Sequence, residues 1–173
     1  MELLLDEIDT AIGKILLVAD RQALCALEYA DQQTQLIQRL TRRFGQLQLQ
    51  RAKNPHGFTN LLAAYFVGDY QAINRIPVNP GGTPFQQKVW SALRDISIGN
   101  TISYGELAAK LGKPTAARAV GMTNAVNPVA IVVPCHRVIG ANATLVGYGG
   151  GIERKQWLLR HEGVNLLATQ RIR

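Results

Sequence analysis

The chain has 173 residues, of which 47% are apolar, 18% charged and 6% aromatic, with 16 Gly and 7 Pro, a composition that excludes disordered, collagen-like and fibrous classes. The net charge of +7 is uneven: residues 1–80 carry eight basic and eight acidic side chains, whereas residues 81–173 carry 11 basic and four acidic ones. A basic half gains affinity for polyanions by releasing their condensed counterions, so nucleic acid is weighed ahead of a merely solvated basic face.

In chain order, Leu3 to Asp9, Lys14 to Ala19 and Ala23 to Tyr29 are short apolar-rich runs separated by turn signals, which predicts an antiparallel meander. Leu36, Ile37, Leu40 and Phe44 then recur at helical spacing before Gly45, and Phe58, Leu61, Leu62, Tyr65 and Phe66 repeat the pattern before Gly68. These elements make an N-terminal α+β scaffold domain, residues 1–80. Pro77 to Gly82 has the Pro and Gly density of a linker and coincides with the change in charge. A mainly helical domain, residues 83–173, is expected beyond it.

Two S/T-x-x-E/Q capping boxes open this second domain: Thr83 to Gln86, with Pro84 at the first helical position, and Ser103 to Glu106. The first helix is expected to bury Phe85, Val89, Trp90 and Leu93. The second presents Leu107, Ala108 and Leu111 and stops at Gly112-Lys113-Pro114, and a third covers roughly Thr115 to Asn124. Two helices joined by so short a turn form either a helix-turn-helix or an αα-hairpin used only for packing; the basic charge favours the former. The third helix carries Ala116, Ala117, Ala119 and Gly121 around one cation, Arg118. Small residues cannot read base edges, which suits shape-based or minor-groove contact with Arg118 as the long probe.

Val129 to Val133 reads as a buried strand that delivers Pro134-Cys135-His136-Arg137 at its end. A thiol beside an imidazole and a guanidinium has the makings of a nucleophile, since cationic neighbours favour the thiolate; the bland alternative is a buried structural cysteine. A cysteine hydrolase is the competing chemistry, with His56 or His161 as its histidine. The last helix runs from Ile152 to Glu162 and ends at Gly163; Glu162 either orients His136 or is a surface charge. With Cys25 and Cys135 the only cysteines, no CxxC pair, and His56, His136 and His161 the only histidines, neither a disulfide scaffold nor a metal site has support. No apolar run approaches the ~20 residues that span a bilayer, and MELLLDEIDT lacks the basic start of an export signal. The expectation is a cytoplasmic protein with no membrane partner.

The string Ile131 to Val138 (IVVPCHRV), preceded by Arg118-Ala119-Val120-Gly121 and Asn127-Pro128 and followed by Gly147-Tyr148 and Trp157-Leu158-Leu159 to His161-Glu162-Gly163, resembles the O6-alkylguanine-DNA alkyltransferase family. The resemblance is dense from Thr83 to Gly163. It implies a ribonuclease-H-like first domain, a winged-helix-like second domain and irreversible alkyl transfer from O6 of guanine, often also O4 of thymine, to Cys135. No cofactor or metal is implied. The partner would be double-stranded DNA with alkylated bases, approached by a monomer through the minor groove with the damaged base flipped out.

By position, the resemblance makes His136 the base acting on Cys135 through a water and Glu162 the carboxylate orienting it. Tyr104 would donate to the departing base, and Asn127 would tie the recognition helix to the active site. Arg118 would fill the gap left by the extruded nucleotide, with Lys113, Thr115 and Ala119 also on DNA, while Val138, Tyr148 and Gly149 would line the pocket. In the loop over the flipped base, Ala143 stands where relatives commonly have a turn glycine, and Val146 where a small polar residue is frequent. A winged-helix regulator is the alternative; it would need no Cys135.

Overall fold

The computed structural model describes residues 1–166 and 171–172. The chain divides into one unit of residues 1–81 with 128–132 and a second of residues 82–127 with 133–173. The first contains the expected meander, β1 (Glu2–Thr10), β2 (Gly13–Ala19) and β3 (Leu24–Tyr29), joined in antiparallel pairs. A short strand that the periodicity does not announce, β4 (Gln48–Arg51), adds in parallel to β1 and completes the order β3-β2-β1-β4. Leu16 and Val18 of β2 share a cluster with Leu3, Cys25, Ala26 and with Leu36 and Leu40 of α1 (Gln33–Phe44). Their alternates Ile15 and Leu17 are also wholly buried, so this strand is covered on both faces and reads as a continuous apolar run. Helix α2 (Phe58–Phe66) packs on β1 and buries Phe58, Leu62 and Tyr65.

The segment Pro77 to Gly82 contains the division between the units and is tied down at its start, where Pro77 accepts from Leu24 N and Asn79 N donates to Leu24 O at the edge of β3. The Asn79 side chain donates to Asp20 and is itself held by Arg43. One expectation is corrected in this unit. Val129 to Val133 is not a strand: Val129 makes a single bridge to Leu27, and Ile131 then takes φ +70°, a left-handed conformation that breaks any ladder. A β-branched residue held there stores roughly 1–3 kcal/mol of strain. The apolar run reflects complete burial, which periodicity alone cannot assign to a strand.

In the second unit both capping boxes form, with Thr83 and Gln86 exchanging hydrogen bonds at the start of α3 (Pro84–Arg94) and Ser103 and Glu106 doing so at α4 (Tyr104–Lys110). Helix α5 (Ala117–Ala125) begins later than the spacing predicts. Ala116 N closes a turn onto Lys113 O, which leaves Thr115 in the connection and without a capping role. Residues 102–103 form β5, paired in parallel with β6 (Val138–Ile139). After β7 (Thr144–Leu145) comes α6 (Ile152–His161), and Arg171–Ile172, β8, pairs with β7. Ile139, Leu145, Leu159 and Leu166 close a second core cluster. No helix of the described residues is long and apolar enough to cross a membrane.

The turn before β7 holds Ala143 at φ +57°, the conformation that a glycine at this place would adopt without a Cβ penalty. Ala143→Gly is expected to raise unfolding stability by about 1 kcal/mol, measured by urea denaturation; a loss of stability would show that packing of the alanine methyl outweighs the relief.

Candidate active site

Cys135, His136 and Arg137 form a single 3-10 turn immediately ahead of β6, and all three are buried. Two amides from the end of α5 hold the backbone on either side of Pro134: Asn127 Nδ2 donates to Val133 O at 2.8 Å, and Asn124 Nδ2 donates to Cys135 O at 3.3 Å. Both asparagines are buried, as is Thr123, whose carbonyl accepts from Trp90 Nε1 at 3.1 Å.

Glu162, the residue that caps the C-terminal end of α6, faces the turn from the other side. Its Oε1 lies 2.8 Å from His136 Nε2 and accepts from Arg137 Nη2, and its Oε2 accepts from Arg137 Nε. Nη1 of Arg137 donates to Ile96 O just beyond α3. The hydrogen bonds of Arg137 thus go to Glu162 and the backbone.

Burial alone would raise the Glu162 carboxyl, but His136 and Arg137 hold it far below the usual carboxylate range. Burial pushes His136 below its ordinary value, against the pull of Glu162. With Arg137 already supplying the counter-charge, the neutral imidazole is the consistent state. Its Nε2–H then donates to Glu162, and Nδ1, which has no hydrogen-bond partner among the described residues, carries the lone pair.

Tyr104, at the first turn of α4, is half-buried near the site. Burial pushes its hydroxyl upward, the Cys135 sulfur adds to this, and the Asn124 amide opposes it. Val138 is buried in β6, Tyr148 is partly buried in the loop after β7, and Gly149 is exposed in the turn that follows. Lys113, Thr115, Arg118 and Ala119 are all exposed on α5 or the connection before it, with the Lys113 ammonium 5.2 Å from the centre of the Phe85 ring. His56 lies in the first unit, 2.9 Å from Asp20 O, and His161 stacks on Trp157.

Two residues of this site escape the sequence reading. Lys155 of α6 is wholly buried, and its Nζ donates to Val138 O, Val146 O and Gly147 O at 2.6, 2.9 and 3.3 Å. Burial lowers its ammonium to about 8, while the Cys135 sulfur pulls it back up. Lys155 shares a helical face with Leu158, Leu159 and Glu162, and that spacing is the signal available in the sequence. Asn124 is the other, and nothing in its surroundings in the sequence distinguishes it.

The family model described as 6-O-methylguanine DNA methyltransferase, DNA binding domain, matches residues 84–164, and the one described as its ribonuclease-like domain matches residues 5–80. A curated relative from Salmonella typhimurium, methylated-DNA--protein-cysteine methyltransferase, is 50% identical over 171 residues, covering 96% of this chain and 99% of the relative. Among solved structures, a Mycobacterium tuberculosis OGT in complex with DNA has 38% identity and a TM-score of 0.76, covering 98% of this chain and 99% of that one. The Mycobacterium tuberculosis O6-methylguanine methyltransferase solved separately has 39% identity and a TM-score of 0.73, covering 92% of each chain.

Because His136 is shifted downward, the unfolded chain takes up its proton first as the pH falls, and folding stability declines from neutral pH through the ordinary histidine range. The depressed Glu162 acts with the same sign, but only below the ordinary carboxylate range. Chemical denaturation at pH 7 and pH 5 is therefore expected to show a loss that His136→Gln reduces; an equal loss in the variant would contradict the neutral assignment. Glu162→Ala, which strands the buried guanidinium, is expected to cost about 3–5 kcal/mol, and Glu162→Gln less.

Proposed function

The chain belongs to the 6-O-methylguanine DNA methyltransferase family and is a DNA-repair methyltransferase that moves an alkyl group directly from DNA to protein cysteine; on that premise we propose that Cys135 is the acceptor and that the buried Cys135, His136 and Glu162 perform the transfer. The observation that carries this reading is the His136 to Glu162 hydrogen bond at 2.8 Å, which turns the basic Nδ1 away from the carboxylate.

In the proposed step Nδ1 takes the thiol proton through a water, and the Cys135 thiolate attacks the alkyl carbon on O6 of guanine. The carbon–oxygen bond breaks as the carbon–sulfur bond forms. The departing base receives a proton from the Tyr104 hydroxyl, which its upward shift keeps protonated at neutral pH, and the imidazolium returns a proton to the phenolate. Atoms and charges balance without a diffusible cofactor, and the thioether ends the protein's activity. Lys155 is coupled to the Cys135 sulfur, and the same attraction favours the thiolate. Its hydrogen bonds to Val138, Val146 and Gly147 support a role in shaping the loop that carries Tyr148 and Gly149.

A base stacked in a duplex cannot offer O6 to a buried thiolate, so the nucleotide is flipped out. Exposed Arg118 on α5 suits the gap it leaves in the minor groove, with Lys113, Thr115 and Ala119 against the backbone; Asn127 fixes the turn to this helix. The protein works in this reading as a cytoplasmic monomer. Cys25 is a poor acceptor, because burial, reinforced by Asp20 at 3.3 Å, pushes its thiol up to about 12.

Mass spectrometry after mixing with a duplex containing O6-methylguanine is expected to find one methyl per chain, on Cys135, and no further turnover. Product beyond one equivalent, or label on Cys25, would overturn the assignment. Tyr104→Phe is expected to slow single-turnover transfer about 10²-fold with little change in duplex affinity, and Arg118→Ala to weaken repair more than binding to undamaged DNA.

A further inference from the structure

Helix α5 is built inside out. Its buried side holds Thr123 and Asn124 alongside Val120, whereas its exposed side consists of Arg118, Ala119, Met122 and Ala125, continued at the cap by Val126. Met122 is 67% exposed and Val126 45%. At about 3.6 residues per turn, positions 118, 122 and 126 follow one another along a single stripe. A solvated helix face carries polar residues opposite its core, but here the only polar side chain on that face is one arginine. Inward Asn124 is explained by Cys135 O, to which its amide donates; the outward apolar residues remain exposed.

We propose that Met122 and Val126 form an apolar strip, continuous with Arg118, that lies against the sugar edges of duplex DNA and gives this chain a part of its DNA affinity that salt does not weaken. The inference rests on the reading of α5 as the helix that faces DNA. Charge selects the occupant: no acidic residue occurs between Glu106 and Glu153, while Lys110, Lys113 and Arg118 fall within this stretch. Glu106 itself is engaged at the start of α4. The charged side chains of this stretch are therefore all cations, which favours a polyanion as the occupant. A second copy docking the same face by two-fold symmetry would bring Arg118 and its lysine neighbours against their own copies. The minor groove offers what the strip needs, because its walls are sugar carbons, and proteins that bind there bring apolar side chains, methionine included, into the groove.

Salt dependence separates the strip from phosphate contacts. Cations release counterions when they neutralise phosphates, so their loss lowers the slope of log affinity against log salt. Burial of a thioether and an isopropyl group releases none. Affinity of the full chain for a short undamaged duplex, followed by fluorescence anisotropy over a series of salt concentrations, distinguishes the two. The double variant Met122→Ser, Val126→Ser is expected to bind about tenfold more weakly at every salt concentration with the slope of the parent. Lys113→Ala is expected to lower the slope by about one.

A double variant that binds as the parent does, or whose slope falls as in Lys113→Ala, would overturn the proposal. So would sedimentation showing that the parent self-associates and the double variant does not, with equal affinity for DNA. A parent that fails to bind duplex at all would instead sink the reading of α5 on which the proposal rests. Both substitutions are at exposed positions, and thermal melts matching the parent establish that weaker binding is not loss of fold.

Discussion

A carboxylate with no access to solvent organises the second unit. Glu162 sits at the C-terminal end of α6, where the helix dipole already disfavours negative charge, and burial adds a desolvation cost that only close, well-aligned partners offset. Arg137 supplies them with two hydrogen bonds to the carboxylate and one to Ile96 O. One guanidinium therefore fixes the end of α6, the residues after α3 and the turn that carries Cys135. The pairing also decides the proton on His136. With its charge already met by Arg137, Glu162 acts on the imidazole as an acceptor that selects Nε2–H, and a buried neutral ring with its second nitrogen uncommitted is what a base must be before it acts.

The same economy of charge extends to the two cysteines. Cys25 lies beside a carboxylate, Asp20, and is pushed strongly toward the thiol. Near the Cys135 sulfur stands Lys155, whose ammonium the sulfur pulls upward and three carbonyls hold, while the adjacent His136 has its partner in Glu162. Those carbonyls orient Lys155 without neutralising it, so its charge remains available to the sulfur. Thiols of the same intrinsic chemistry are thus separated by their surroundings, and the difference agrees with assigning the reaction to one of them.

Much of this was legible in residue order. Capping boxes are local, so Ser103 to Glu106 announces α4 without knowledge of the fold, and the meander follows from alternation and turn residues. Cys135-His136 is a visible pairing, and the family resemblance extends it to Glu162. What sequence reading missed depends on distant partners. The pairing of Pro77 and Asn79 with Leu24 is visible only once the fold brings them together, and Val129 to Val133 looks like a strand until Ile131 turns left-handed. Lys155 looks like a surface lysine unless its face is compared with Leu158 and Leu159, because a charge is expected outside until carbonyls are found to meet it. Arg137 shows the converse: adjacency in sequence draws attention to the thiol, and the hydrogen bonds of the guanidinium to Glu162 and Ile96 O are made to distant partners.

The central claim is that Glu162 holds His136 neutral, protonated at Nε2 and basic at Nδ1. Nitrogen-15 NMR of the histidine-labelled protein at neutral pH, with the His136 signals identified by their loss in His136→Gln, reads this directly. The account predicts a protonated Nε2 and an unprotonated Nδ1; a ring protonated at Nδ1 alone, or at both nitrogens, would contradict it.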